Sequence, residues 1–100
     1  MNIVLCKEYE LSNRPLVVET DFGRIAVLRQ EGEVLAFEDV CTHDDGPLAE
    51  GDIEGSSIVC PRHGAAFDLK TGAALRMPAT EGIATFPVVI RDGLVEVEID

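Results

Sequence analysis

Both histidines of this chain stand beside cysteines. Residues 41–43 read C-T-H and residues 60–64 read C-P-R-H-G, in a chain of 100 residues with three cysteines and two histidines. The spacing is C-x-H, sixteen residues, then C-x-x-H. Thiolate and neutral imidazole are soft to borderline donors that suit zinc, copper or iron–sulfur clusters. Four unrelated residues would need every His and all but one Cys to fall by chance into two compact pairs. A structural Cys₂His₂ zinc site usually draws its cysteines from one short knuckle and its histidines from another. Here each segment supplies one of each. That suits a cluster in which one iron takes two cysteines and the other takes two histidines, with zinc as the competing occupant.

The elements that must position these pairs read as β-strands. Apolar runs are short, β-branched and separated by Gly-containing turns: IVL at 3–5, PLVV at 15–18, RIAVL at 24–28, VLAF at 34–37, SIV at 57–59, FPVVI at 86–90 and LVEVEI at 94–99. No stretch of ten or more residues sustains a helical apolar period, so an all-β fold without a long helix is expected. Asp92-Gly93 suits a two-residue hairpin turn, because both positions need positive φ. Closing the turn there predicts Ile90 opposite Val95, Val88 opposite Val97 and Phe86 opposite Ile99, all on one face. A second hairpin is expected to turn at Glu31-Gly32, pairing Leu28 with Leu35 and Ala26 with Phe37. From Val40 to Gly82 the chain holds six glycines and three prolines. A stretch of that composition should bury little apolar surface of its own, so something besides core packing is expected to hold it.

Composition narrows the function classes. The apolar fraction is 46%, and one hundred residues make one domain's worth of chain. Nineteen acidic against eight basic residues leave a formal charge of −11, which repels phosphate backbones and anionic lipid heads. Five aromatic residues and no Trp give no stacking platform for single strands. Neither a nucleic-acid nor a membrane role is expected. No apolar run approaches a membrane span or a signal-peptide core, so a cytoplasmic location is expected. An odd number of cysteines fits metal or redox chemistry better than a disulfide framework.

The spacing C-T-H-x₁₆-C-x-x-H-G resembles the Rieske 2Fe-2S motif, in which two histidines replace two cysteines on one iron. The segments CTHDDGPLAEGDIEG and IVCPRHGAAFDLKTGAALRMPATEG resemble the cluster loops of bacterial Rieske-type ferredoxins. Those are the electron carriers of ring-hydroxylating dioxygenases and related non-haem iron oxygenase systems. The resemblance is close over residues 40–82 and looser over the flanking strands. It implies an all-β, Rieske-type (ISP-like) β-sandwich: one domain over residues 1–100, with a small inserted cluster-binding subdomain near 40–76. It implies one 2Fe-2S cluster, with Cys41 and Cys60 on the inner iron and His43 and His63 on the outer one.

The function implied is that of a one-electron carrier, not an enzyme. It would receive electrons from a flavin-dependent reductase and pass them to a terminal oxygenase. Both would dock transiently near His43 and His63 on a monomeric protein. The chain has no Ser/His/Asp set, P-loop or dinucleotide fingerprint that would give it a reaction of its own. Two alternatives from other classes stand beside this reading. One is a permanent Rieske subunit or accessory of a larger redox or iron–sulfur assembly system. The other is a structural Cys₂His₂ zinc adaptor.

Where high-potential members of the family carry a bracing cysteine in each loop, this chain has Gly46 and Arg62. Where they carry a serine after the second loop's H-G, it has Ala65. Fewer donors to sulfur, together with Asp44, Asp45, Glu50 and Asp52 nearby, predict a low-potential carrier. Pro47, Leu48, Pro61, Ala65, Met77 and Pro78 are expected to form an apolar collar. Phe67 is expected in the core, and Cys6 as a buried strand residue without chemistry.

Overall fold

The computed structural model describes residues 1–99. Eleven strands succeed one another: β1 (Asn2–Lys7), β2 (Leu16–Thr20), β3 (Gly23–Gln30), β4 (Glu33–Glu38), β5 (Asp52–Glu54), β6 (Ser57–Val59), β7 (Ala66–Asp68), β8 (Ala74–Arg76), β9 (Thr85–Phe86), β10 (Val88–Arg91) and β11 (Leu94–Glu98). The one helical element among the described residues is a 3₁₀ turn at Glu8–Glu10. None of the described helices is long and apolar enough to cross a membrane. The strands form three antiparallel sheets, in the orders β1-β11-β10, β2-β3-β4-β9 and β5-β6-β7-β8.

The middle sheet explains the run RIAVL. A strand sends alternate side chains to opposite faces, so a strand covered on both faces must be apolar throughout. Ile25 and Val27 point to one side, where they pack with Ala36 and with Leu5, Cys6, Val95 and Val97 of the first sheet. Ala26 and Leu28 point to the other side, where they pack with Phe37, with Ile58 and Phe67 of the third, and with Leu69 in the turn after β7. All four of these β3 residues are fully buried. The second sheet is therefore the middle layer of a stack, and the third sheet stands on its outer face.

Both expected hairpins are present. Asp92 and Gly93 have φ of 53° and 77°, and Ile90 pairs with Val95 and Val88 with Val97. Glu31 and Gly32 have φ of 50° and 82°, and Leu28 pairs with Leu35 and Ala26 with Phe37. The expectation for Phe86 is corrected. It pairs with Ala36 in the second sheet, not with Ile99. Pro87 lacks the N–H a ladder needs, and the chain changes sheets there. Ile90 also faces solvent, so Val95 and Val97 carry the buried face of that hairpin.

The middle of the chain holds more core than its glycines suggest. Leu48, Ile58, Phe67 and Leu69 are buried together with Cys41 and Cys60. Each large apolar side chain buried in this way contributes about 1.5–3 kcal/mol. Core packing thus supports the segment, contrary to the expectation from its composition. Gly51 shows why a glycine is needed there. A Cβ on it would stand 1.9 Å from the Val59 carbonyl oxygen, so the first loop can cross the end of β6 only without a side chain.

Candidate metal centre

Cys41 and Cys60 open two loops of the same local shape. The Cys41 N–H donates to the Gly46 carbonyl at 2.8 Å, and the Cys60 N–H donates to the Ala65 carbonyl at 2.6 Å, each five residues on. Each cysteine carbonyl accepts from the amide four residues on, Asp45 at 2.7 Å and Gly64 at 3.1 Å. Those two residues take the left-handed conformation, with φ of 60° at Asp45 and 77° at Gly64. Glycine adopts it at no steric cost, and Asp is among the few other residues that tolerate it. The loops face each other with the cysteines inward and the histidines outward. Their unequal spacings, C-x-H and C-x-x-H, are carried on one shared turn.

The Cys41 and Cys60 side chains are almost completely buried. Together with an Asp44 carboxylate oxygen, their sulfurs form a group whose ligand atoms lie within 4.8 Å of one another. His43 and His63 are exposed, with ring centroids 5.0 Å apart and planes at 87°. His63 Nδ1 is 3.9 Å from Asp44 Oδ2. The four sequence-predicted residues thus stand at the tips of two facing loops, a sulfur pair inside and an imidazole pair at the surface. Cys6 lies apart in β1, buried against the first core. Burial, then the charge of Glu10, pushes its thiol pKa up, so it stays an inert thiol at neutral pH.

Burial likewise raises the Cys41 thiol, opposed by the His43 N–H and raised further by Cys60 beside it. A metal taken up here must displace the thiol protons, which couples binding to pH. The donor set fits a group that needs two buried thiolates and two surface imidazoles. Asp44 is committed elsewhere: Arg62 grips its carboxylate. That hydrogen bond, followed by the Gly46 N–H, holds the Asp44 carboxyl well below the usual carboxylate range. The guanidinium of Arg62 partly offsets the negative charge that Asp44 brings to the site.

Two residues of the site carry no signal in the motif. Asp39 is 3% exposed, and its Oδ1 accepts from the Leu48 and Ala49 amides, each at 2.7 Å. It closes the first loop from beneath. Its Oδ2 has Arg24 Nη2 at 3.1 Å but no donor aligned for a hydrogen bond. Thr42 fastens the same loop by donating to the Glu81 carbonyl at 2.6 Å. Of the residues expected in an apolar collar, two are buried and one is not a core residue. Leu48 and Ala65 are buried beneath the loops, whereas Met77 is 72% exposed and stands free of the core.

Comparison with known proteins agrees with this geometry. A family model described as Rieske [2Fe-2S] domain matches residues 1–87. The chain is similar to the 3-phenylpropionate/cinnamic acid dioxygenase ferredoxin subunit of Photorhabdus laumondii, with 41% identity over 75% of this chain and 72% of the relative. Among solved structures it is similar to the Sphingomonas yanoikuyae B1 ferredoxin, with a TM-score of 0.92, 34% identity and all of both chains covered. It also matches a chain in the complex of reduced oxygenase and oxidised ferredoxin in carbazole 1,9a-dioxygenase. There the TM-score is 0.87 and the identity 32%, over 96% of this chain and 91% of that one.

Proposed function

Since the chain belongs to the Rieske [2Fe-2S] domain family, we propose that Cys41, His43, Cys60 and His63 together hold one two-iron, two-sulfide cluster. The protein is an electron carrier, the ferredoxin component of a dioxygenase-type system, and performs no turnover of its own. When bound, the cluster supplies one reversible electron. The chain supplies the rest. Cys41 and Cys60 hold the group from the buried side, where Leu48, Ala65 and Phe67 keep water away. His43 and His63 hold it from the exposed side and present their rings to a partner. One observation carries this reading: buried sulfur donors on one side of the site and exposed imidazoles on the other.

The organisation this reading assigns is one domain over residues 1–100, with the cluster-holding part near 40–76. The partners it assigns are a flavin-dependent reductase and a terminal non-haem iron oxygenase, each docking in turn at the His43/His63 edge in the cytoplasm. Support for the oxygenase comes from the solved complex of an oxygenase with a similar ferredoxin. A net charge of −11 favours fast, transient encounter with basic surfaces, weakened by salt.

The test is reoxidation of the chemically reduced protein by a purified terminal oxygenase under anaerobic conditions. The expected result is rapid reoxidation that slows as salt rises. Reoxidation no faster with the oxygenase than without it would contradict the assignment.

A further inference from the structure

Arg62 and Asp44 join the two loops at their tips. The Arg62 Nε donates to Asp44 Oδ2, and Nη2 donates to Oδ1 at 3.0 Å, so the guanidinium fork meets the carboxylate with both teeth. Nη1 donates to the Pro47 carbonyl at 2.8 Å. All three bonds cross from the second loop to the first. Asp44 is held from its own loop as well, by the Gly46 N–H at 2.9 Å to Oδ1. Gly46 also leaves room for the guanidinium, since a Cβ there would stand 2.7 Å from Cζ and from Nη2. The Arg62 and Asp44 side chains are 32% and 23% exposed, well covered for a pair at a loop tip.

Building on the cluster site proposed above, we infer that Arg62 is a positioning residue. Through Asp44 and Pro47 it clasps the two cysteine–histidine loops together, and it sets a positive charge beside the Cys41 and Cys60 sulfurs. A carboxylate oxygen of Asp44 lies within 4.8 Å of both sulfurs, and the guanidinium is bonded to that carboxylate. The guanidinium is therefore close enough to feel both sulfurs.

The clasp has two separable effects. Mechanically, losing either partner frees the loops, so both losses act in the same direction. Electrostatically, the partners act in opposite directions. Arg62 favours an added electron at the site and Asp44 disfavours it, so their removal should shift the midpoint potential with opposite signs. A residue that merely stiffened the loops would not split in this way. An ion pair at this exposure is also screened by salt.

The experiment uses the purified, cluster-loaded protein and the variants Arg62→Gln, Asp44→Asn, the double variant, and Gly46→Ala. Gly46→Ala displaces the guanidinium while keeping both charges. The readouts are the rate of colour loss to an iron chelator at low and high salt, and the midpoint potential. Each single variant should lose colour about threefold to tenfold faster than the parent at low salt. The double variant should lose it no faster than the faster single, because the partners act as one unit. Gly46→Ala should accelerate loss in the parent and add nothing to Arg62→Gln. The midpoint should fall in Arg62→Gln and rise in Asp44→Asn. Additive rates, unchanged rates, or midpoint shifts of one sign in both variants would overturn the clasp. A parent protein without a two-iron spectrum would instead overturn the cluster site on which it rests.

Discussion

Cys41→Ala and Cys60→Ala will yield protein without the red-brown colour of a two-iron cluster, and iron and sulfide analysis will find neither element in stoichiometric amount. Each change removes a buried sulfur donor from a site whose other donors are too few to hold the group. His43→Ala and His63→Ala should do the same from the exposed side. Apolar packing beneath the loops survives in all four variants, since Leu48, Ile58 and Phe67 still meet Leu28 and Phe37. The sheets should therefore persist in far-UV circular dichroism while the two loops, residues 41–46 and 60–65, lose protection from hydrogen exchange. Two controls sharpen the claim. Cys6→Ser should keep the colour, because Cys6 packs in the first core against Val95 and Val97. Asp44→Asn should also keep it, because Asp44 partners Arg62 and stands outside the proposed ligand set, despite lying close to both sulfurs. Colour lost in Cys6→Ser and kept in Cys41→Ala would refute the assignment.

Asp39→Ala should destabilise the protein by about 2–4 kcal/mol, and it should loosen the first loop more than any other part. The Asp39 carboxylate is the acceptor for both the Leu48 and Ala49 amides, the first of them fully buried. Alanine leaves those donors without a partner inside the fold, at about 1–3 kcal/mol for a buried one and less for the partly exposed Ala49. The neighbouring ion pair matters less. The Arg24 side chain is 48% exposed, so water screens its attraction to Oδ2. Magnitude thus ranks the two interactions, with the amide bonds first. Asp39→Asn keeps an oxygen that can accept from both amides and should recover most of the loss, while Arg24→Ala should cost less than about 1 kcal/mol. Chemical denaturation gives the energies, and hydrogen exchange at the Leu48 and Ala49 amides localises them. Arg24→Ala costing as much as Asp39→Ala would show that the ion pair carries the effect instead.

The parts of the fold that were readable in the sequence are those with local causes. Asp92-Gly93 and Glu31-Gly32 fix their hairpins because the turn conformation and the side-chain alternation are set within a dozen residues. The four Cys and His residues that the fold brings together stood out as a candidate site because these residue types are scarce here and their spacing is compact. What was not readable depends on distant partners. FPVVI reads as one strand, yet Pro87 divides it between two sheets, and only the packed structure shows which edge Phe86 joins. The core beneath the loops was hidden because SIV and AFD are too short to show a buried face alone. Ile58 and Phe67 become core only against Leu28 and Phe37 of the middle sheet. Nothing in the sequence marks Asp39, and Arg62 stands out only as the residue in the place of a bracing cysteine. Their roles arise from amides and a carboxylate that the fold brings to them from 9 and 18 residues away.

Everything proposed for this chain follows from a single electron carried on a cluster held by two cysteines and two histidines. An EPR-monitored redox titration of the purified protein at neutral pH examines that property. The expected outcome is a red-brown oxidised protein that takes up one electron per chain and gains an EPR signal on reduction. Its midpoint should lie near the low end of the Rieske range, about −150 mV, in keeping with a buried Ala65 that offers no hydroxyl to sulfur. A colourless protein with one bound zinc and no redox response, or a midpoint well above zero, would contradict it.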